Sequence, residues 1–168
     1  MAAKKFLRLV AGAITEVVGV VTSAGAANDG DIPALDASGR LSNTVMPVGI
    51  GADTASITTS EALAAGDWVN IHNATGAKAR KADATTAGKE AHGFVLAAFA
   101  SGASATVYFE GLNTQVTGQT AGVVFLTTTP GVGGPTPPAG AGNIVQALGI
   151  ATSPTAVNFE MGAPITLV

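Results

Sequence analysis

The 168-residue sequence has no cysteine, which removes disulfides, thiolate metal ligands and a cysteine nucleophile together. Charge is also scarce, at 11% of residues with a net charge of −3, where an ordinary domain carries about 25%. So few charges defend the surface poorly against association. The expectation is that identical copies or a larger assembly cover much of it. The basic residues form no extended stripe. Lys78, Arg80 and Lys81 are the only internal basic cluster, and no aromatic residue is interleaved with them. Three cations cannot supply the phosphate neutralisation or the stacking that nucleic-acid binding requires. They are expected to lie on a solvated strand face, with no nucleic acid as partner. Long apolar runs are missing too. Gly12, Glu16 and Gly19 interrupt Leu9–Val21, so no run approaches the roughly 18 residues of a membrane-spanning helix, and no membrane partner is expected. Glu16 equally opposes reading Lys4, Lys5 and Arg8, the apolar run and Ala24-Gly25-Ala26 as a secretory signal.

Catalytic and cofactor signatures are absent as well. His72 and His92 lie far apart in sequence, and neither has a ligand-type partner at the i+2 to i+4 spacing of a metal site. A pH-sensitive pair at a subunit interface is a further role open to them, beside that of ordinary, partly exposed histidines. The carboxylates are mostly single; Asp29 and Asp31 share a linker, and no acid pair suits general acid–base work. No Gly-x-Ser-x-Gly elbow occurs. The glycines ending at Gly140-Ala141-Gly142 lead into the apolar Ile144-Val145 instead of a helix, so they do not form a phosphate cradle. The chain is therefore expected to be no enzyme, with no catalytic residues, no metal and no cofactor.

What the sequence does contain is a β rhythm. In Glu90–Glu110, two apolar runs, Gly93–Phe99 and Ala105–Phe109, flank the small-residue turn Ser101–Ser104. Each run is short, and the second is β-branched and aromatic, which predicts two paired strands. Comparable segments are Asp67–His72, Ala77–Asp83, Gly122–Thr128, Asn143–Thr152 and Ala156–Glu160, with a polar strand at Thr114–Thr117 and the tail Pro164–Val168. Turn residues separate them every eight to twelve positions or so, the spacing of a small β-barrel or β-sandwich. In Asp67–His72, Val69 and Ile71 share one face while Trp68, Asn70 and His72 share the other. Ser60–Ala65 is expected to make one short helical turn capped by Ser60. Thr129–Gly142, with four of the eight prolines, reads as an exposed hairpin loop or a contact at a symmetry axis.

The chain divides on composition into an arm, residues 1–51, and a body, residues 52–168. In the arm, Ile14–Thr22 is β-branched enough for a strand, and Ser23–Asp31 reads as a flexible linker. Asp36-Ala37-Ser38-Gly39 is a turn, because Asp bonds the backbone ahead and Gly tolerates positive φ. Pro33 and Pro47 hold their surroundings extended. Ile32, Leu35, Leu41, Val45 and Met46 are then apolar anchors on a backbone that cannot build its own core. Such a segment docks on this subunit, on a neighbour or on a partner.

Four blocks carry a resemblance: DIPALDASGRLSNTVMPVGIG (Asp31–Gly51), EALAAGDWVNIHN (Glu61–Asn73), GKEAHGFVLAAFASGASATVYFEG (Gly88–Gly111) and GNIVQALGIATSPTAVNFE (Gly142–Glu160). They resemble tailed-phage capsid decoration, or cement, proteins and the related head-fibre proteins. The resemblance implies a homotrimeric β-barrel module on the capsid exterior. It also implies an N-terminal arm that grips the major capsid protein and stabilises the shell by bridging capsomers. On that reading the partner contacts are Lys4, Lys5, Phe6, Leu7, Arg8, Ile14, Val18, Ile32, Leu35, Leu41 and Met46. Phage fibres carry a segment similar to Ile32–Gly51, so tail attachment stays open. The alternative function is a head- or tail-fibre adhesin module that binds a host glycan through loops such as Thr129–Gly142 and Asn73–Gly76. Sugar sites favour aromatic platforms, and only Trp68 and Tyr108 offer more than a phenyl ring.

Overall fold

A computed structural model describes residues 5–46 and 51–168. The chain separates into two compact units, Met1–Gly51 and Ala52–Val168. Both are built from strands and turns, so the all-β expectation holds.

The first unit opens with a hairpin of β1 (Lys5–Val10) and β2 (Ala13–Val18), in register from Lys5↔Val18 to Val10↔Ala13. Ala11 and Gly12 connect the strands with φ of 50° and 86°. Two successive positive φ values give the two-residue turn whose twist matches that of the flanking strands. The sequence suggested a single strand over Ile14–Thr22. Instead, the basic residues before it form a second strand that folds back on it. Ser23–Asp31 is not a plain linker, because it holds a 3-10 turn, Gly25–Asn28. There Ala24 N–H donates to Asn28 Oδ1 at 2.6 Å, and Asn28 Nδ2 donates to Asp31 at 3.1 Å. The expected turn at Asp36 is present. Its Oδ1 accepts the backbone N–H groups of Ser38 (2.8 Å) and Arg40 (2.9 Å), and Gly39 has φ 75°. A second 3-10 turn, Asn43–Val45, is capped by Ser42. None of residues 5–46 is buried, so the described part of this unit has no core.

In the second unit, β3 (Thr54–Thr59), β4 (Trp68–Asn73), β5 (Ala77–Lys81), β6 (Gly93–Phe94) and β7 (Ser104–Tyr108) pair in the closed order β3-β5-β4-β6-β7. Closure needs one parallel contact, β3 with β5; the other pairings are antiparallel. A five-stranded antiparallel sheet follows. It is built from β8 (Gly111–Asn113), β9 (Gly122–Leu126), β10 (Gly133–Gly134), β12 (Ala147–Ser153) and β13 (Ala156–Phe159), in the order β10-β9-β12-β13-β8. The short β11 (Ile144–Val145) pairs with the tail strand β14 (Ile165–Thr166) in a sheet of their own.

Three local expectations change. Gly93–Phe99 is a strand only at Gly93–Phe94, because Val95 and Phe99 turn to exchange backbone hydrogen bonds with residues 63–67. Those bonds also hold Leu63 in a bridge with Phe99, so Ser60–Ala65 forms no helical turn. The polar strand expected at Thr114–Thr117 lies earlier, at Gly111–Asn113, where buried Asn113 donates to Gly66 C=O at 3.0 Å. Within Thr129–Gly142, Gly133-Gly134 is a strand that pairs with β9.

Alternation along β4 divides the core as the sequence suggests. Val69 points into the closed strand ring with Leu63, Ala79, Val95, Ala105 and Val107. Trp68 lies on the other side among Phe94, Val124, Leu126, Ile144, Leu148, Val157 and Phe159, the cluster that joins the ring to the second sheet. The Trp68 ring meets Phe94 edge-on at 5.7 Å and Phe159 at 5.2 Å. Burying an indole removes about 150–250 Å² from water, worth roughly 4–6 kcal/mol by transfer arithmetic. One polar clamp sits beside this cluster. The side chain of Gln146 is 1% exposed; its Oε1 accepts from Ala91 N–H (2.8 Å), and its Nε2 donates to Ala91 C=O (2.9 Å) and Gly162 C=O (3.1 Å). The amide thus pairs with a loop as a neighbouring strand would.

Candidate interaction surfaces

The hairpin carries two chemically different faces, because side chains alternate along each strand and paired residues share a side. Phe6, Arg8 and Val17 lie on one side. Phe6 and Val17 are half-buried, and Arg8 reaches Asp31 at 3.5 Å. Lys5, Leu7, Leu9, Ile14, Glu16 and Val18 lie on the other. Leu7 is 73% exposed, Leu9 68%, Ile14 74% and Val18 51%, and Lys5 meets Glu16 diagonally at 2.5 Å. A two-stranded sheet is at best marginal alone in water, and four large apolar side chains on its open face raise that cost further.

Of the residues singled out in the arm, Leu7, Ile14 and Val18 therefore meet on one surface with Lys5, while Phe6 and Arg8 turn to the opposite side. Leu9, which sequence reasoning passed over, completes the apolar face. Its signal was the Ala11-Gly12 dipeptide between two alternating runs. Ile32 (51%), Leu35 (44%), Leu41 (48%) and Met46 (37%) are exposed elsewhere in the same unit. Lys4 lies outside the described residues.

The body's polar groups are mostly spent on holding its loops. Arg80 donates to Asn70 Oδ1 (3.0 Å) and Gly88 C=O (2.6 Å), and Lys81 reaches Asp67 at 3.3 Å. His72 Nε2 lies 3.0 Å from the Ser60 hydroxyl, and His92 Nδ1 accepts Ile71 N–H at 3.0 Å. Burial and the positive charge of Arg80 hold the His72 pKa below its ordinary value, outweighing Glu61. Burial pushes the Asp83 carboxyl up. Hydrogen bonds from the Thr85 hydroxyl, Lys89 and the Thr85 N–H, with the Lys89 charge at 2.9 Å, more than offset this and leave its pKa lowered. Among the described residues, no three His, Cys, Asp or Glu side chains gather where they would hold a metal. No helix among them is long and apolar enough to cross a membrane.

A second surface belongs wholly to the body and was invisible in the sequence. A groove of about 630 Å³ opens between β6–β7 and β8–β13, lined by Phe94, Tyr108, Phe109, Leu112, Phe159 and Met161. The Tyr108 ring stacks on Phe94 at 5.4 Å. Glu110 and Glu160 also line it. They flank the last pair of the β8–β13 register, Glu110 just before Gly111 and Glu160 just after Phe159. Comparison of the chain with protein-family models, with curated proteins and with solved structures found no match.

Proposed function

We propose that this chain is a structural virion protein that binds the outer surface of a phage capsid and stabilises it by bridging capsomers. The open apolar face of the N-terminal hairpin carries the reading. Leu7, Leu9, Ile14 and Val18 stand outward on a unit with no buried residue among those described, so this face gains most by covering another protein. The hairpin's outer edges add to the gain, since a neighbouring strand of the major capsid protein would satisfy their backbone groups with little demand on sequence. The resemblance of Asp31–Gly51 and the three body blocks to decoration proteins names that partner and the capsid exterior as its location.

Mechanically, a homotrimer presents three hairpins, and the first contact raises the effective concentration of the next two. A cap that binds only the assembled shell lowers the free energy of the assembled state by linkage, which opposes capsomer separation. A closed threefold ring would also cover charge-poor surface on each body.

The test is co-sedimentation with shells of the major capsid protein, comparing the wild-type chain with Leu9→Asp and Ile14→Asp. Each substitution should remove about 1.5–3 kcal/mol of apolar burial per hairpin, or roughly ten- to hundredfold in affinity per contact. Thermal unfolding of the body should stay unchanged. Wild-type protein that leaves the shells in the supernatant would refute the function, and full binding by both variants would refute the hairpin's part in it.

A further inference from the structure

We infer that the body groove at Glu110 and Glu160 is a docking site for the Asp36–Arg40 turn of a second copy of this chain. The inference rests on the proposed multi-copy assembly but concerns a different surface from the shell-binding hairpin.

The groove asks for a cation beside an apolar group. Two carboxylates lining one groove disfavour each other's charge, and neither Glu110 nor Glu160 has an ion-pair partner among the described residues. Beneath them lie the stacked rings of Tyr108 and Phe94, with Leu112 47% and Met161 57% exposed at the rim. A guanidinium suits this combination because it bonds carboxylates in a planar fork and also stacks on an aromatic face.

The described cations leave few candidates. Lys5, Arg8, Lys81 and Lys89 face Glu16, Asp31, Asp67 and Asp83, and Arg80 is held by Asn70 and Gly88. Lys78 and Arg40 remain. Lys78 sits between Ala77 and Ala79 on β5, with no large apolar neighbour in sequence to fill the floor. Arg40 is followed by Leu41, 48% exposed. It also closes a rigid turn, in which Asp36 N–H donates to Arg40 C=O at 2.8 Å while Asp36 Oδ1 accepts Arg40 N–H at 2.9 Å. That preorganisation lowers the ordering cost of docking. The match is therefore Arg40 to the two carboxylates and Leu41 to the Leu112 and Met161 rim.

A second copy, not the chain's own turn, fits the extent of the surface. The register places Val123, Ile150, Asn158 and Leu112 in one outward row across β9, β12, β13 and β8. Val123 and Ile150 are 45% and 48% exposed. The row runs about 14 Å over three strand spacings and ends in the groove at Leu112. A short turn covers the groove alone, whereas a neighbouring copy covers the row as well. Turn and groove are different patches, so the contact is made either reciprocally in a twofold dimer or head-to-tail around a ring.

The absence of cysteine makes the test direct and independent of shells. Leu41→Cys protein is mixed with an equal amount of Met161→Cys protein and oxidised. The expected result is a mixed disulfide dimer, and the Leu41→Cys/Met161→Cys double variant should close into a covalent dimer or ring. Adding Arg40→Glu to the Leu41→Cys chain should cut the yield at least tenfold, and Glu110→Arg/Glu160→Arg in the partner should restore it. Adding Leu9→Asp to the Leu41→Cys chain should leave the cross-link yield unchanged, which separates this contact from shell binding. No cross-link in the mixture overturns the inference, as does a bond formed only within one chain of the double variant. Undiminished yield with Arg40→Glu overturns its charge basis.

Discussion

Gln146→Glu is the most exacting test of how the body is held together. The substitution keeps side-chain volume and one acceptor, so Ala91 N–H retains a partner. It removes the amide donor that serves Ala91 C=O at 2.9 Å and Gly162 C=O at 3.1 Å. In a side chain 1% exposed, two stranded carbonyls cost about 1–3 kcal/mol each. Desolvating an unpaired carboxylate costs more again. A loss of at least about 2–6 kcal/mol at neutral pH is a large share of the 5–15 kcal/mol that an ordinary domain possesses. At roughly 4 °C per kcal/mol for a domain of this size, the melting temperature should fall by about 8–24 °C. The pH dependence identifies the cause. The buried carboxyl binds its proton more tightly folded than unfolded, so its folded pKa is raised above the ordinary value of about 4.3. As pH falls through that raised value, the folded state takes up the proton first and stability returns. The regained O–H serves only one of the two carbonyls, so recovery relative to wild type stays partial. Calorimetric melts of both proteins from pH 7 to pH 4 would measure this. A variant as stable as wild type at pH 7, or an equally large deficit at every pH, would refute the account of the clamp.

Two further predictions concern the same body. Asp83→Asn should destabilise it at neutral pH by about 1.5–3 kcal/mol, the usual worth of hydrogen bonds to a charged group. Because the folded pKa of Asp83 is lowered from 3.8, its contribution is present above that value and lost as pH falls through the folded pKa. The difference between variant and wild type in urea melts should therefore shrink in acid. Gly149→Ala should prevent normal folding, because β12 bulges there with φ 129° and an added Cβ would sit 2.0 Å from Asn158 C=O. Wild-type yield and melting of that variant would contradict the described bulge.

Much of this was legible in the chain. The β-branched and aromatic residues of Ser104–Tyr108, Gly122–Leu126 and Ala156–Phe159 name their strands from composition, since a pleated half-buried surface favours them. The lack of cysteine, of clustered acids and of spaced histidines pointed away from chemistry and towards surfaces. The hairpin was hidden because Lys5 and Arg8 before an apolar run look like a charged flank, and only pairing reveals that Arg8 and Leu9 face opposite ways. Val95–Phe99 was misread because its apolar residues suit a strand, while their hydrogen bonds are drawn to residues 63–67.

By itself the sequence determined the class of the protein, the two-faced character of β4, the Asp36 turn and the apolar residues of its N-terminal unit. These follow from local propensity, alternation and turn chemistry, which act over a few residues. Only the tertiary structure decided the parallel β3–β5 contact that closes the ring, the Gln146 clamp onto a loop 55 residues away, and the groove that Glu110 and Glu160 both line. Each of those depends on segments distant in sequence arriving side by side, and the register that brings them there is set by packing, which no local pattern records.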